Sequence, residues 1–300
     1  MYDIKGYYQG DTVEETLHLL AEHPSARIIC GGSDVLIRTR EGKLAGCELV
    51  GIRHLKELQG VERKENGDLY IGAATTFTHI TNDPLIQKYI PVLGEAVDQV
   101  GGPQVRNIGT IGGNICNGAV SADSAPTVFS LEAKLRIVSS GKERISGMEE
   151  FYLGPGRVDL RPGELLTHII VPRENYQGYT GQYIKYSMRN AMDIATLSCC
   201  VVCKEGFDGY HRILDNIRVT FGVAAPVPLR CRQTEERLKG HVIDGDIFQM
   251  MEKSIRQEIN PRDSWRASKA FRLQIGGEIA RRAFREAVQK QQFGNMSRGK

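Results

Sequence analysis

Residues 101–126, GGPQVRNIGTIGGNICNGAVSADSAP, gather six glycines and three asparagines in one segment. Gly109, Gly112 and Gly113 carry no Cβ, so main-chain N–H groups there can approach a ligand closely. Successive N–H groups of this kind form a concave anion site without a lysine. A single Gly-Gly pair reads equally well as a tight turn. Asn114, Asn117, Ser121 and Asp123 follow at short intervals and supply more hydrogen-bonding groups than a turn requires. Val105, Ile108, Ile111, Ile115 and Val120 are interspersed, which argues against a solvated linker, and the glycine density argues against an ordinary helix or strand.

A second candidate lies upstream, where the apolar run Ala26-Arg27-Ile28-Ile29-Cys30 meets Gly31-Gly32-Ser33-Asp34. A strand ending in a glycine pair and a hydroxyl exposes N–H groups at its carboxyl edge, where α/β sheets bind ligands. The loop is neither a GxGxxG fingerprint nor a Walker loop, because no third spaced glycine and no GK[ST] follow. Asp34 either contacts the ligand or caps the next turn.

The elements that must position these loops read as mixed helix and strand. Residues 12–23 form a helix, capped by Asp11 or Thr12, with Val13, Leu17 and Leu20 at helical spacing. Residues 35–37, 48–52 and 69–73 read as strands, and Asn66-Gly67 marks a hairpin. Residues 76–83 and 84–100 read as helical, 126–131 as a short helix, and 133–138 and 164–171 as strands. Turn formers in 172–181 set a boundary between domains 1–176 and 182–290. The second half begins with 182–189, QYIKYSMR, and reads as strands near 195–204 and 213–225, then helices at 234–239, 247–259 and 268–289. The arginines of the last helix suit a solvated face, and residues 291–300 read as a flexible tail.

With 300 residues, 41% hydrophobic and 25% charged, the chain has room for about two domains and a sizeable core. A net charge of +3 gives no case for nucleic acid. No apolar run approaches the roughly 18 residues that span a bilayer, and the start lacks a signal peptide, so a cytoplasmic location without membrane contact is expected. The seven cysteines are odd in number and several lie in apolar runs, favouring reduced buried thiols. Cys200 and Cys203 have CxxC spacing, but inside a strand-like run and without a second pair, so packing is favoured over a metal site, and no metal site is expected.

The two glycine loops, CGGSD and TIGGN, with the downstream NGAVSADSAP, resemble the FAD-binding (medium) subunits of molybdenum hydroxylases, the bacterial xanthine dehydrogenase type in particular. The likeness runs on through IGAATTFTHI, KYSMRNAMDIATLSC, FGVAAPVPLRC and SWRASKAFR. It implies an α+β fold. A two-part FAD domain of the vanillyl-alcohol-oxidase (PCMH) type would precede a C-terminal domain of antiparallel sheet and helices, as in CO dehydrogenase flavoproteins. It implies that Arg27, Ile28, Ile29, Cys30, Gly31, Gly32, Ser33 and Asp34 face Gly109, Thr110, Ile111, Gly112, Gly113 and Asn114 across the FAD pyrophosphate, with Asp123, Leu166 and Lys185 as further contacts. On the residues alone, Leu166 is a core strand position and Lys185 a solvated charge. Ser33 stands where the commoner loop has Thr and keeps a hydroxyl. Cys30 replaces Ala and reads as a buried thiol.

The resemblance further implies an oxidoreductase subunit in a heteromeric complex, a dimer of heterotrimers, with no catalytic side chain of its own. Hydroxylation would occur at a molybdenum cofactor in a large subunit. Electrons would cross [2Fe-2S] clusters of a small subunit and leave through FAD here to NAD. Lys185, where it reaches the ring, would stabilise negative charge on the reduced flavin. The four-cysteine loop that carries an extra cluster in some relatives has no counterpart here. An alternative is a stand-alone flavin reductase resembling UDP-N-acetylenolpyruvoylglucosamine reductase, which needs an acid/base pair beside the flavin. A non-enzymatic nucleotide-binding module remains a third reading.

Overall fold

The computed structural model describes residues 2–298, and the side-chain surroundings of residues 2–291. Its first unit is a parallel three-stranded sheet of β1 (Ile4–Gln9), β2 (Arg27–Ile29) and β3 (Cys47–Gly51), with β3 in the middle. Helix α1 (Val13–Glu22) connects β1 to β2. Its N-terminus is closed by Thr12, whose hydroxyl accepts from the Glu15 amide, and Leu17 and Leu20 bury against Val50 and Ile52. Residues 35–37, expected as a strand, belong instead to helix α2 (Val35–Arg40). Gly32 sits in the left-handed region at φ +72° and turns the chain out of β2; the Leu36 amide then donates to the Gly32 carbonyl at 3.0 Å, which starts a helix.

The second unit is antiparallel. Strands β4 (Val61–Arg63), β5 (Leu69–Gly72), β6 (Lys134–Ser139) and β7 (Lys142–Gly147) form it together with a later strand, and β8 (Tyr152–Gly154) and β9 (Arg157–Val158) make a separate ribbon. That later strand, β10 (Leu165–Val171), is central in the order β4-β5-β10-β6-β7, which explains its near-continuous apolar run. Short helices cover the sheet: α3 (Phe77–Asn82), α4 (Pro84–Tyr89), α5 (Pro91–Val97), α6 (Pro103–Arg106), α7 (Ile111–Cys116), α8 (Ser124–Ser130) and α9 (Met148–Phe151). Prolines open α4, α5 and α6 where their missing N–H costs nothing. Residues 101–126, which read as neither helix nor strand, thus contain three short helices, each too brief for periodicity to declare.

The third unit is an antiparallel sheet, β11 (Thr180–Tyr186), β12 (Leu197–Phe207), β13 (Arg212–Gly222) and β14 (Leu229–Arg230), backed by α10 (Arg232–Leu238), α11 (Gly245–Glu258) and α12 (Lys269–Arg298). The backbone of α12 stays helical through 291–298, where a tail was expected; 299–300 lie outside the described residues. Side chains alternate across β12, so Cys199 and Cys203 pack toward α11 and α12, whereas Cys200 packs toward the second unit. The CxxC pair therefore points to opposite faces. Among the described residues no three His, Cys, Asp or Glu converge as metal ligands, and no helix is long and apolar enough to cross a membrane.

Candidate functional site

The two glycine loops, some eighty residues apart in sequence, meet. A Cβ on Gly31 would stand 2.0 Å from the Ile108 carbonyl oxygen, a distance no side chain tolerates, so only glycine lets loop 30–34 lie on the backbone at Ile108 and Gly109. Arg53 braces the same contact, donating to the carbonyls of Asn107 and Ile108 at 3.5 Å. The Cys30 thiol lies beside the Thr110 hydroxyl. Burial pushes its pKa up, against hydrogen bonds from Thr110 and the Gly31 amide and the charge of Arg53, so it is a neutral packing group.

Arg27, Ile28 and Ile29 form β2, in parallel register with Leu49, Val50 and Gly51, and deliver the chain to the loop. Beyond them the amides of Gly32, Ser33 and Asp34 donate to no acceptor among the described residues. Asp34 holds the N-cap position of α2, yet its carboxylate makes no capping bond. These amides lie at the residues that lead into α2, the kind of edge that attracts an anion.

The second loop is built differently from the row of free amides its glycines suggested. The Ile111 amide donates to the Thr75 carbonyl at 3.1 Å, Gly112 to the Ala73 carbonyl at 2.9 Å, Gly113 to the Thr110 hydroxyl at 3.3 Å, and Asn114 to the Thr110 carbonyl at 3.0 Å. Thr110 is the N-cap of α7, and these bonds fix that helix against β5 and its following turn. Gly109 and Gly112 are demanded by packing: a Cβ would come within 2.9 Å of the Phe77 ring on the first and 2.6 Å of the Ala73 methyl on the second. At Gly113 a Cβ would meet only the Thr110 hydroxyl, at 3.0 Å, so its surroundings are open. Asn114 accepts from the Ser124 hydroxyl at 2.7 Å, tying α7 to α8.

Asp123 and Lys185, expected as separate contacts, form one buried pair. Lys185 Nζ lies 2.8 Å from Asp123 Oδ2 and donates to the Gln99 carbonyl at 2.9 Å, while the Tyr183 hydroxyl donates to Asp123 Oδ1 at 2.7 Å. Desolvation raises the pKa of Asp123, opposed by the Lys185 charge and the two hydrogen bonds. The pair joins the second unit to the third. Two of the three Lys185 donors are committed, and the residue lines a cavity of about 310 Å³ with Gln99, Tyr186 and Met192. Leu166 is buried in β10, opposite Ile137. Its side chain is a core group, so any ligand contact would come from its main chain. Arg53, Gln99 and Tyr183 were not singled out by sequence. A lone arginine, a main-chain carbonyl and a strand tyrosine give no pattern, and only the packed structure reveals them.

A family model described as the FAD binding domain in molybdopterin dehydrogenase matches residues 2–174, and one described as the CO dehydrogenase flavoprotein C-terminal domain matches residues 182–287. The chain is 38% identical over 288 residues to the xanthine dehydrogenase FAD-binding subunit of Escherichia coli O157:H7, covering 96% of this chain and 97% of that protein. It is 27% identical over 282 residues to the glyceraldehyde dehydrogenase medium chain of Sulfolobus acidocaldarius, covering 94% and 98%. Among solved structures, carbon monoxide dehydrogenase from Hydrogenophaga pseudoflava superposes with a TM-score of 0.89 at 25% identity, over 96% of this chain and 99% of the matched chain.

Proposed function

The chain belongs to the FAD-binding subunits of the molybdenum hydroxylases, a family of oxidoreductases, and on that premise we propose that it passes electrons from a partner's iron–sulfur clusters to NAD. FAD supplies the redox chemistry, since it exchanges single electrons with clusters and a hydride with a nicotinamide. The residues present fit that cofactor. Its pyrophosphate suits the unpartnered amides of Gly32, Ser33 and Asp34 and the open face at Gly113. The interlocked backbone at Gly31 and Ile108 is the observation that carries this reading, because it joins the free amides of the first loop to the open face at Gly113 in one cradle.

In this scheme the chain's residues bind and orient. Thr110, Ile111 and Asn114 stiffen the second wall, and Arg53 keeps the two loops in register. Lys185, its third donor uncommitted, presents positive charge to the cavity and favours a ligand that gains negative charge. Asp123 holds that ammonium in place. The partners are a molybdenum-cofactor large subunit, where a purine is hydroxylated, and a small subunit with [2Fe-2S] clusters, assembled as a dimer of heterotrimers in the cytoplasm. The purine follows from the name of the Escherichia coli relative. Anaerobic mixing of the purified complex with excess NADH tests the acceptor. Bleaching of the flavin absorbance is expected, and a flavin that purine reduces but NADH leaves oxidised would exclude NAD.

A further inference from the structure

At the seam between the second and third units lies a small charged cavity that the FAD cradle does not use. Two arginines, Arg218 on β13 and Arg230 on β14, reach it with side chains only 6% and 8% exposed. Glu132 stands between them and gives one oxygen to each: Oε2 lies 3.4 Å from Arg218 Nε, and Oε1 accepts from Arg230 Nη1 at 2.9 Å. That carboxylate is 39% exposed, far more open than its partners. Its backbone position is also unusual. The Glu132 amide donates to the Phe129 carbonyl at 2.9 Å and the Ala133 amide to the Val128 carbonyl at 3.1 Å, the pattern that closes a helix through a left-handed residue. Glu132 takes that conformation, at φ +46°, where glycine is the favoured residue. The chain thus sets a carboxylate at a point where α8 would end more easily without a side chain.

One carboxylate does not satisfy the two guanidiniums. Arg218 donates through Nη1 to the carbonyls of Ser130 and Asn175, at 3.3 and 2.9 Å, and through Nη2 to Asn175 Oδ1 at 3.0 Å, which leaves one Nη2 hydrogen over. Arg230 gives Nε to Glu235, and its Nη2 has no partner among the described residues. Burial pulls the pKa of Arg218 below its usual value, against the charge of Glu132. Arg232, Glu236 and Lys239 also line the cavity, with Arg232 held from outside by Glu149 at 3.0 Å. Were Glu132 to turn aside, positive charge would exceed negative even with Glu149 counted. The volume of about 190 Å³ equals roughly six waters at ~30 Å³ each, room for a small hydrated anion. The place is distinct from the redox site, since Asp123 stands at the opposite end of α8.

We infer that this cavity binds a phosphate-class oxyanion, which displaces the Glu132 carboxylate from the two buried guanidiniums. More N–H donors converge there than two carboxylate oxygens accept, whereas a tetrahedral dianion offers four oxygens to the planar forks of Arg218 and Arg230. The test titrates the purified chain with inorganic phosphate by calorimetry, against chloride of equal ionic strength. One phosphate per chain is expected, with the same affinity in the absence of FAD and at saturating FAD. Glu132→Gly withdraws the competing charge and suits the helix end, so it should tighten phosphate binding about tenfold. Lys239→Gln changes an exposed residue outside the buried network and should weaken binding about threefold at unchanged thermal stability. Absence of saturable binding in both the parent and Glu132→Gly overturns the inference, as does equal affinity in all three proteins. Phosphate that FAD expels overturns it too, because the cradle would then be the site that holds it.

Discussion

The buried pair of Asp123 and Lys185 makes a sharp prediction about single residues. Lys185→Met leaves a desolvated carboxylate with only the Tyr183 hydroxyl, and removing one partner of a buried ion pair costs about 3–5 kcal/mol. The folded-state pKa of Asp123 is already raised, so the folded protein holds this proton more readily than the unfolded chain. The stability this contributes is present at acid pH and lost as pH climbs through the raised value. Without Lys185 the value rises further, and the gap between variant and parent should widen from acid to neutral pH in urea unfolding; a constant gap would contradict the pairing. The cysteines give a second test. Burial pushes the thiols of Cys200 and Cys203 up to about 12, so both should resist a thiol reagent in the native protein and react fully in denaturant.

At the scale of elements, the two glycine loops divide their labour. Gly112→Ala would press a methyl against Ala73, and overpacking of that kind costs about 1–3 kcal/mol. Gly113→Ala meets only a hydroxyl that can yield, so thermal unfolding should barely move while FAD affinity falls, as measured by flavin fluorescence titration. The long elements were legible because their signals are local: Thr12 caps α1, Leu17 and Leu20 repeat at helical spacing, and β10 reads as a buried strand. The strand expected at 35–37 is a helix, because the turn at Gly32 outweighs three β-prone side chains. Both loops were found from their glycines, but the glycines' reasons were not visible. Gly31 is required by Ile108 and Gly112 by Ala73, contacts that no linear pattern encodes. For the same reason Asp123 and Lys185 read as separate contacts until folding placed them 2.8 Å apart.

Across the whole molecule, the division near 176–182 does not separate the cores. Tyr183, Cys200 and Val202 of the third unit pack in the same buried cluster as Val92, Val128 and Phe129 of the second. Arg218 reinforces this seam, reaching Glu132 at 3.4 Å and the Asn175 carbonyl at 2.9 Å, and Lys290 reaches Glu95 at 2.6 Å. The second and third units should therefore unfold in one calorimetric transition, and a 1–176 fragment should be insoluble; two well-resolved transitions would contradict the shared core. The central claim, that two distant loops close into one FAD cradle, is tested most directly by equilibrium FAD binding to the purified chain and to Gly31→Val. The account predicts stoichiometric, tight flavin in the parent and loss of flavin in the variant, with the far-ultraviolet circular dichroism of both alike. A parent that stays colourless after incubation with FAD, or a variant that binds it at full occupancy, would contradict the account.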